Sequence, residues 1–174
     1  MKCSYLTLLL AILLASPVHA EKLEFDYQIY PPLEAVLNGG RTEMLRYDDS
    51  NPKYVTDRIA IQGTSVDHWT EALDIIVRSR GPKMKSSADW AGEIQQNWRA
   101  VCASEFTTIA EDVNSLTFLR HSTGCPAGTA QTGLYRIVAG RKSLFLLNAF
   151  TIGEMAESMR RQWLELLRSA HLSS

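Results

Sequence analysis

The stretch Met1–Ala20 constrains everything after it, because it carries the three-part pattern of a secretory leader. Lys2 supplies a positive start, and Leu6–Ala15 is an apolar run broken only by Thr7. Ser16-Pro17-Val18-His19-Ala20 then ends in a small residue, with Val-His-Ala before Glu21. The apolar run is about half of the ~20 residues a helix needs to cross a bilayer. The pattern therefore predicts a cleaved signal peptide over residues 1–20, a cut between Ala20 and Glu21, and a mature domain over residues 21–174 in the periplasm. Cys3 precedes the apolar run, whereas a lipid-modified cysteine would follow it, so a lipoprotein is not expected. The strongest later apolar segment, Leu144–Phe150, is strand-sized and follows Arg141 and Lys142. No transmembrane anchor is expected after cleavage.

Export sets the redox chemistry. Without Cys3 the chain keeps two cysteines, Cys102 and Cys125, an even number in a compartment where disulfides persist. Their pairing would close a loop of about 22 residues and stabilise the fold by roughly 3 kcal/mol in the chain-entropy picture. The alternative is two unpaired buried thiols. A catalytic cysteine is disfavoured, since there is no Cys-x-x-Cys pair and no histidine placed by a recognisable motif. Charge excludes other classes. The chain has 18 basic and 19 acidic residues, and loss of Lys2 leaves 17 against 19. A net charge near −2 offers no footprint for nucleic acid or anionic lipid.

The remainder reads as strands, helix, strands, helix. Leu23–Ile29 alternates apolar and polar residues and is expected to be a strand stopped by Pro31-Pro32. Thr42–Tyr47 reads as a second strand after the turn at Gly39-Gly40, and Tyr54–Gln62 as a third after the polar loop 48–52. His68–Ser79 fits both periods, but its Ile-Ile-Val cluster and the Gly81-Pro82 stop favour a strand. Ser86-Ser87 can cap a helix over Ala88–Cys102, with Asp89 in its first turn. Its stripe of Ala91, Ile94, Trp98, Val101 and Cys102 is expected to face the core. Phe106–Ile109, Leu116–His121, Leu134–Ala139 and Leu144–Phe150 are short β-rich runs, the last two joined as a hairpin by Gly140-Arg141-Lys142. A final helix opens at Gly153-Glu154 and carries Met155, Met159, Trp163, Leu166, Leu167 and Ala170 on one stripe. Short strands with tight connections predict an α+β fold: an antiparallel sheet covered by two amphipathic helices.

No constellation of established chemistry stands out. His68, His121 and His171 are never three or four residues apart, so no single element offers a histidine pair to a metal. No Gly-x-Ser-x-Gly elbow, Ser-x-x-Lys pair or phosphate-cradling glycine loop is present. Neither metal nor cofactor is implied. Glu71 is the residue of most interest. If Leu73, Ile75 and Val77 face the core, so does Glu71, and a buried carboxylate must be paired or protonated. Arg120 and Arg136 are the basic residues whose strands could approach it. The alternative places Glu71 at a frayed, wet strand end.

The segment Trp69-Thr70-Glu71-Ala72-Leu73, Trp98 with Cys102, Cys125-Pro126, Thr132-Gly133, Gly140 and Trp163 before Leu166-Leu167 resembles a family of uncharacterised proteobacterial exported proteins. Its members share a W-T-E strand, a W-x3-C helix end and a C-P…T-G segment, and the likeness spans about Trp69 to Leu167. The element order is also similar to the PsbP-like α+β fold, whose members are mostly assembly or binding factors. The exported family implies no activity, and the likeness to PsbP-like proteins is one of shape that only tilts the expectation toward a binding factor. The expectation is a non-enzymatic periplasmic binding or accessory protein acting on another envelope protein or an effector, inhibitors and immunity proteins included. The competing expectation is a small hydrolase whose site is assembled from Glu71 and His121, with His68 as a third candidate.

Overall fold

Strand-forming residues dominate residues 21–173, the part of the chain that the computed structural model describes. The signal-peptide reading of residues 1–20 lies outside them. Seven strands make one antiparallel sheet: β2 (Leu45–Asp48), β3 (Tyr54–Ser65), β4 (His68–Ser79), β5 (Ala103–Glu111), β6 (Ser115–Thr123), β7 (Thr132–Ala139) and β8 (Ser143–Thr151), in the order β2-β3-β4-β8-β7-β6-β5. A separate pair joins β1 (Lys22–Glu24) to β9 (His171–Ser173). Among the described residues there are three α-helices: α1 (Pro31–Asn38), α2 (Ser87–Val101) and α3 (Glu157–Ser169).

The fold is thus mixed α and β with antiparallel sheets, as the sequence leads one to expect, but it has a third α-helix. Pro31 and Pro32 do not stop a strand; they open α1, where the missing N–H groups would have had no helical partner anyway. The strand expected over Leu23–Ile29 shrinks to β1, because Asp26 accepts from the Gln28 N–H and caps a 3-10 turn over Tyr27–Ile29. The strand expected from Thr42 begins at Leu45, after another 3-10 turn. The ambiguous stretch His68–Ser79 is a strand along its whole length.

Register shows why both faces of the sheet are apolar. Leu73, Ala149, Leu134 and Leu119 stand side by side across β4, β8, β7 and β6. On that face they join Leu33 and Val36 of α1 and Trp163, Leu166 and Leu167 of α3 in one core. One residue along, Asp74, Asn148, Tyr135 and Phe118 form the neighbouring row on the opposite face. There Trp90 and Ala91 of α2 pack on Phe118, Tyr135, Ile137, Leu144 and Leu146. β7 and β8 are buried almost throughout, as strands covered on both sides must be.

The chain's route positions α2. It leaves β4 in the middle of the sheet and must reach β5 at the far edge, so the helix crosses one face and packs on β5, β6 and β7. Ser86 Oγ accepts from the Asp89 N–H while the Asp89 carboxylate accepts from the Ser86 N–H, a reciprocal cap that fixes where the helix starts.

Candidate functional site

Glu71 lies where β4 passes beneath α1 and α3, and only 1% of it is exposed. Neither Arg120 nor Arg136 reaches it. The Tyr30 hydroxyl donates to Oε1 at 2.6 Å and the Trp163 indole N–H donates to the same oxygen at 2.8 Å. Oε2 is buried without a partner. Burial pushes the carboxyl pKa above its usual value, against the pull of the two donors. The same contact raises the Tyr30 hydroxyl, chiefly through burial and then through Glu71. Tyr30 and Trp163 also pack ring on ring, with centroids 4.4 Å apart. Glu71 therefore pins two covering elements to the sheet.

His121 shares its row with Glu71 through Thr151 and Thr132. The two residues lie on one face but three strand spacings apart, on the order of 14 Å. His121 lines a recess of about 250 Å³ with Leu119, Thr132, Glu154, Met155 and Arg160, which Glu71 does not reach. His68 is exposed beside the β3–β4 turn. The three candidates for a hydrolytic site thus have no common position for a substrate atom. Among the described residues no three of His, Cys, Asp and Glu gather so as to hold a metal ion, and no helix is long and apolar enough to cross a membrane.

Cys102 and Cys125 are joined as a disulfide, with Cα atoms 4.9 Å apart. The bond ties the C-terminal end of α2 to the loop between β6 and β7. Ser104 Oγ donates to the Cys102 carbonyl and lies 2.7 Å from Ser122 Oγ, which in turn accepts from Arg120 Nη1.

Between α2 and the sheet opens a cleft of about 260 Å³. Trp90, Ile94 and Trp98 recur at one-turn spacing along α2 and form its roof, while Ile76, Leu146, Asn148 and Tyr135 form its floor. Tyr54, Glu93 and Asn97 complete the lining. The roof deviates from the expected stripe. Trp90 is the buried anchor, Trp98 is only half-buried over the cleft, and Val101 is 54% exposed.

Glu93 is the ionised residue in this lining, and other charged groups lie behind the cleft's walls. Arg58 donates from Nε and Nη2 to the two carboxylate oxygens of Asp74 at 2.7 and 2.8 Å. Arg78 pairs with Glu93 at 2.9 Å and lies over the Trp90 ring. Arg120 is 0% exposed and has no carboxylate partner. Its Nε donates to the Tyr135 hydroxyl at 2.9 Å, its guanidinium carbon lies 3.5 Å from the Trp98 ring centroid, and Nη2 has no partner. Burial raises the Tyr135 hydroxyl above its usual pKa, outweighing the lowering effect of Arg120. Gly133 makes this possible, because a Cβ there would lie 2.8 Å from the Tyr135 ring. The remaining feature is Asn148, whose Oδ1 is buried with no donor.

Such an arrangement can bind but offers little to catalyse with. Its carboxylates are engaged by arginines, and no nucleophile stands beside a base. No family model matches the chain, and no curated protein matches it.

Proposed function

We propose that this chain is an exported, non-enzymatic binding protein of the periplasm, and that the cleft beneath α2 is where it takes its effector. The observation that carries the reading is the cleft itself: four aromatic residues around a buried amide oxygen that lacks a donor. Pockets of this kind, apolar with a few convergent polar groups, are the usual form of a small-molecule site. The separation of Glu71 from His121 supports binding over hydrolysis. The disulfide supports an oxidising compartment.

The finer fold reading belongs here too. The arrangement is read as PsbP-like, with α2 and α3 as the principal covers on opposite faces of the antiparallel sheet. The resemblance to the exported family with W-T-E, W-x3-C and C-P…T-G motifs belongs with this reading and implies no activity of its own. Another envelope protein is the natural recipient of the bound state.

The test pairs turnover with binding. The mature domain is assayed against ester, peptide, phosphate and glycoside substrates, and against a fragment library by NMR. The expected outcome is no turnover and fragment-induced shifts at Trp90 and Trp98. Hydrolysis abolished by Glu71→Gln or His121→Ala in a protein that still folds would refute the reading.

A further inference from the structure

We infer that the cleft beneath α2 takes a small uncharged planar molecule whose edge carries an N–H beside a C=O: a lactam, a cyclic imide or a similar oxo-heterocycle. The inference rests on the reading of the cleft as a binding site and adds the chemistry of what fills it.

Charge decides first. Glu93 is the ionised residue in the lining, and Arg78 Nη1 already engages its carboxylate at 2.9 Å. Among the described residues the lining thus holds no cation for a ligand carboxylate and no unengaged acid for a ligand ammonium. A charged ligand would leave water without a counter-charge to meet it, and an uncompensated ion is costly to desolvate. Aromatic walls can hold an organic cation in place of an acid. That route is closed here. Trp90 and Trp98 each already hold a guanidinium, from Arg78 and Arg120, at 5.3 and 3.5 Å from the ring centroids. A second cation beside them would be repelled. An uncharged ligand meets none of these costs.

Size and shape come next. A volume of about 260 Å³ lies below the range of drug-sized sites and admits a one- or two-ring molecule, not a folded peptide segment. Trp90, Trp98, Tyr54 and Tyr135 line it, and aromatic faces pack best on another planar ring.

Asn148 supplies the polar requirement. It stands in a row between Asp74 and Tyr135, and neither neighbour serves it. Asp74 is an acceptor engaged by Arg58, and the Tyr135 hydroxyl is taken by Arg120 Nε. Oδ1 is left buried without a donor. A carboxamide sets an acceptor beside a donor, and rotation about its terminal torsion turns either one toward the cleft. A ligand N–H beside a C=O therefore matches both groups in two parallel hydrogen bonds, the pairing by which Asn side chains read the edge of a heterocycle. A ligand without the N–H leaves Oδ1 a buried acceptor with its penalty unrelieved.

The experiment uses oxidised protein spanning residues 21–174 and four probes built on one bicyclic ring: 2-quinolinone, its N-methyl derivative, quinoline-2-carboxylate and protonated 2-(aminomethyl)quinoline. Affinities are measured by calorimetry, and the tryptophan indole N–H and Asn148 side-chain amide signals are followed by NMR. The lactam should bind at least about tenfold more tightly than each of the other three. Asn148→Leu should reduce it to the level of the N-methyl derivative and leave that derivative unchanged. Should the variant not fold, the Asn148 amide signals of the wild-type protein should move further with the lactam than with the N-methyl derivative; equal movement overturns the pairing. Equal binding of the carboxylate or the amine with the lactam overturns the uncharged class, and equal binding of the N-methyl derivative overturns the role of Asn148. Failure of all four probes at millimolar concentration also overturns the inference. The cleft reading itself is refuted separately, by a fragment library that moves neither Trp90 nor Trp98.

Discussion

Replacing Tyr30 with Phe removes one hydroxyl and keeps the ring, so it isolates the contact to Glu71. The ring stays packed on Trp163, and Tyr30 is 2% exposed, so water cannot replace the lost donor without opening the core. Above its folded pKa, Glu71 is a buried carboxylate left with one donor, from Trp163. Hydrogen bonds to charged groups contribute about 1.5–3 kcal/mol, and neutral ones about 0.5–1.5 kcal/mol. The variant should therefore lose about 2–3 kcal/mol where Glu71 is ionised and about 1 kcal/mol where it is protonated. The sign of the pH dependence follows from linkage. Glu71 binds its proton more tightly in the folded protein, so its stabilising contribution is complete below the unfolded value of 4.5 and is lost as pH rises through the folded value. The Tyr30 hydroxyl holds that folded value down; without it the value climbs, and the variant's loss extends over a wider range. Urea denaturation followed by tryptophan fluorescence, at constant m-value, measures the difference at each pH. A loss below about 0.5 kcal/mol across the whole pH series, or one that shrinks as pH rises, would refute the placement of Tyr30 on a buried carboxylate.

Other perturbations probe the remaining parts. Trp163→Ala should cost about 3–5 kcal/mol in chemical denaturation. Trp98→Ala, at a half-buried ring whose main partner is Arg120, should cost about 1–2 kcal/mol. Equal losses would show that α2 does not leave Trp98 over an open cleft. Reducing Cys102–Cys125 should lower stability by roughly 3 kcal/mol, read as a shifted denaturation midpoint with and without reductant. Gly133→Ala should push the Tyr135 ring off its place beside Arg120, at a cost of about 1–3 kcal/mol, visible as a lowered melting temperature; an unchanged one would show that Gly133 does not make that room.

Much of the scaffold is legible in the sequence because it depends on local rules. The capping pair Ser86 and Asp89, the hairpin at Gly140-Arg141-Lys142 and the strand His68–Ser79 follow from turn chemistry, dipoles and β-branched residues. The errors have equally local causes. Pro31-Pro32 reads as a stop or as a helix start, and only the packing of Leu33 and Val36 beneath the sheet decides it. The site is less legible because register brings its members together. Glu71 signals itself as an acid among apolar neighbours, yet its partners Tyr30 and Trp163 lie 41 and 92 residues away. The cleft residues each have a plain local explanation: Trp90 and Trp98 as helix core, and Asn148 as one polar residue in an apolar run. Two signals did point inward. Asn148 interrupts the continuous apolar run Leu144–Phe150, and Arg120 sits in the β-rich run Leu116–His121 beside no acid.

The cleft as a binding site is tested most directly by the four indole N–H signals of residues 21–174, from Trp69, Trp90, Trp98 and Trp163. Titration with a library of small aromatic acids, amides and amines should move the signals of Trp90 and Trp98 together. Trp163, 0% exposed on the opposite face of the sheet, should stay in place, as should Trp69 beside Phe150. Shifts confined to Trp69 or Trp163, or no shift at Trp90 and Trp98 with any member of the library, would contradict it.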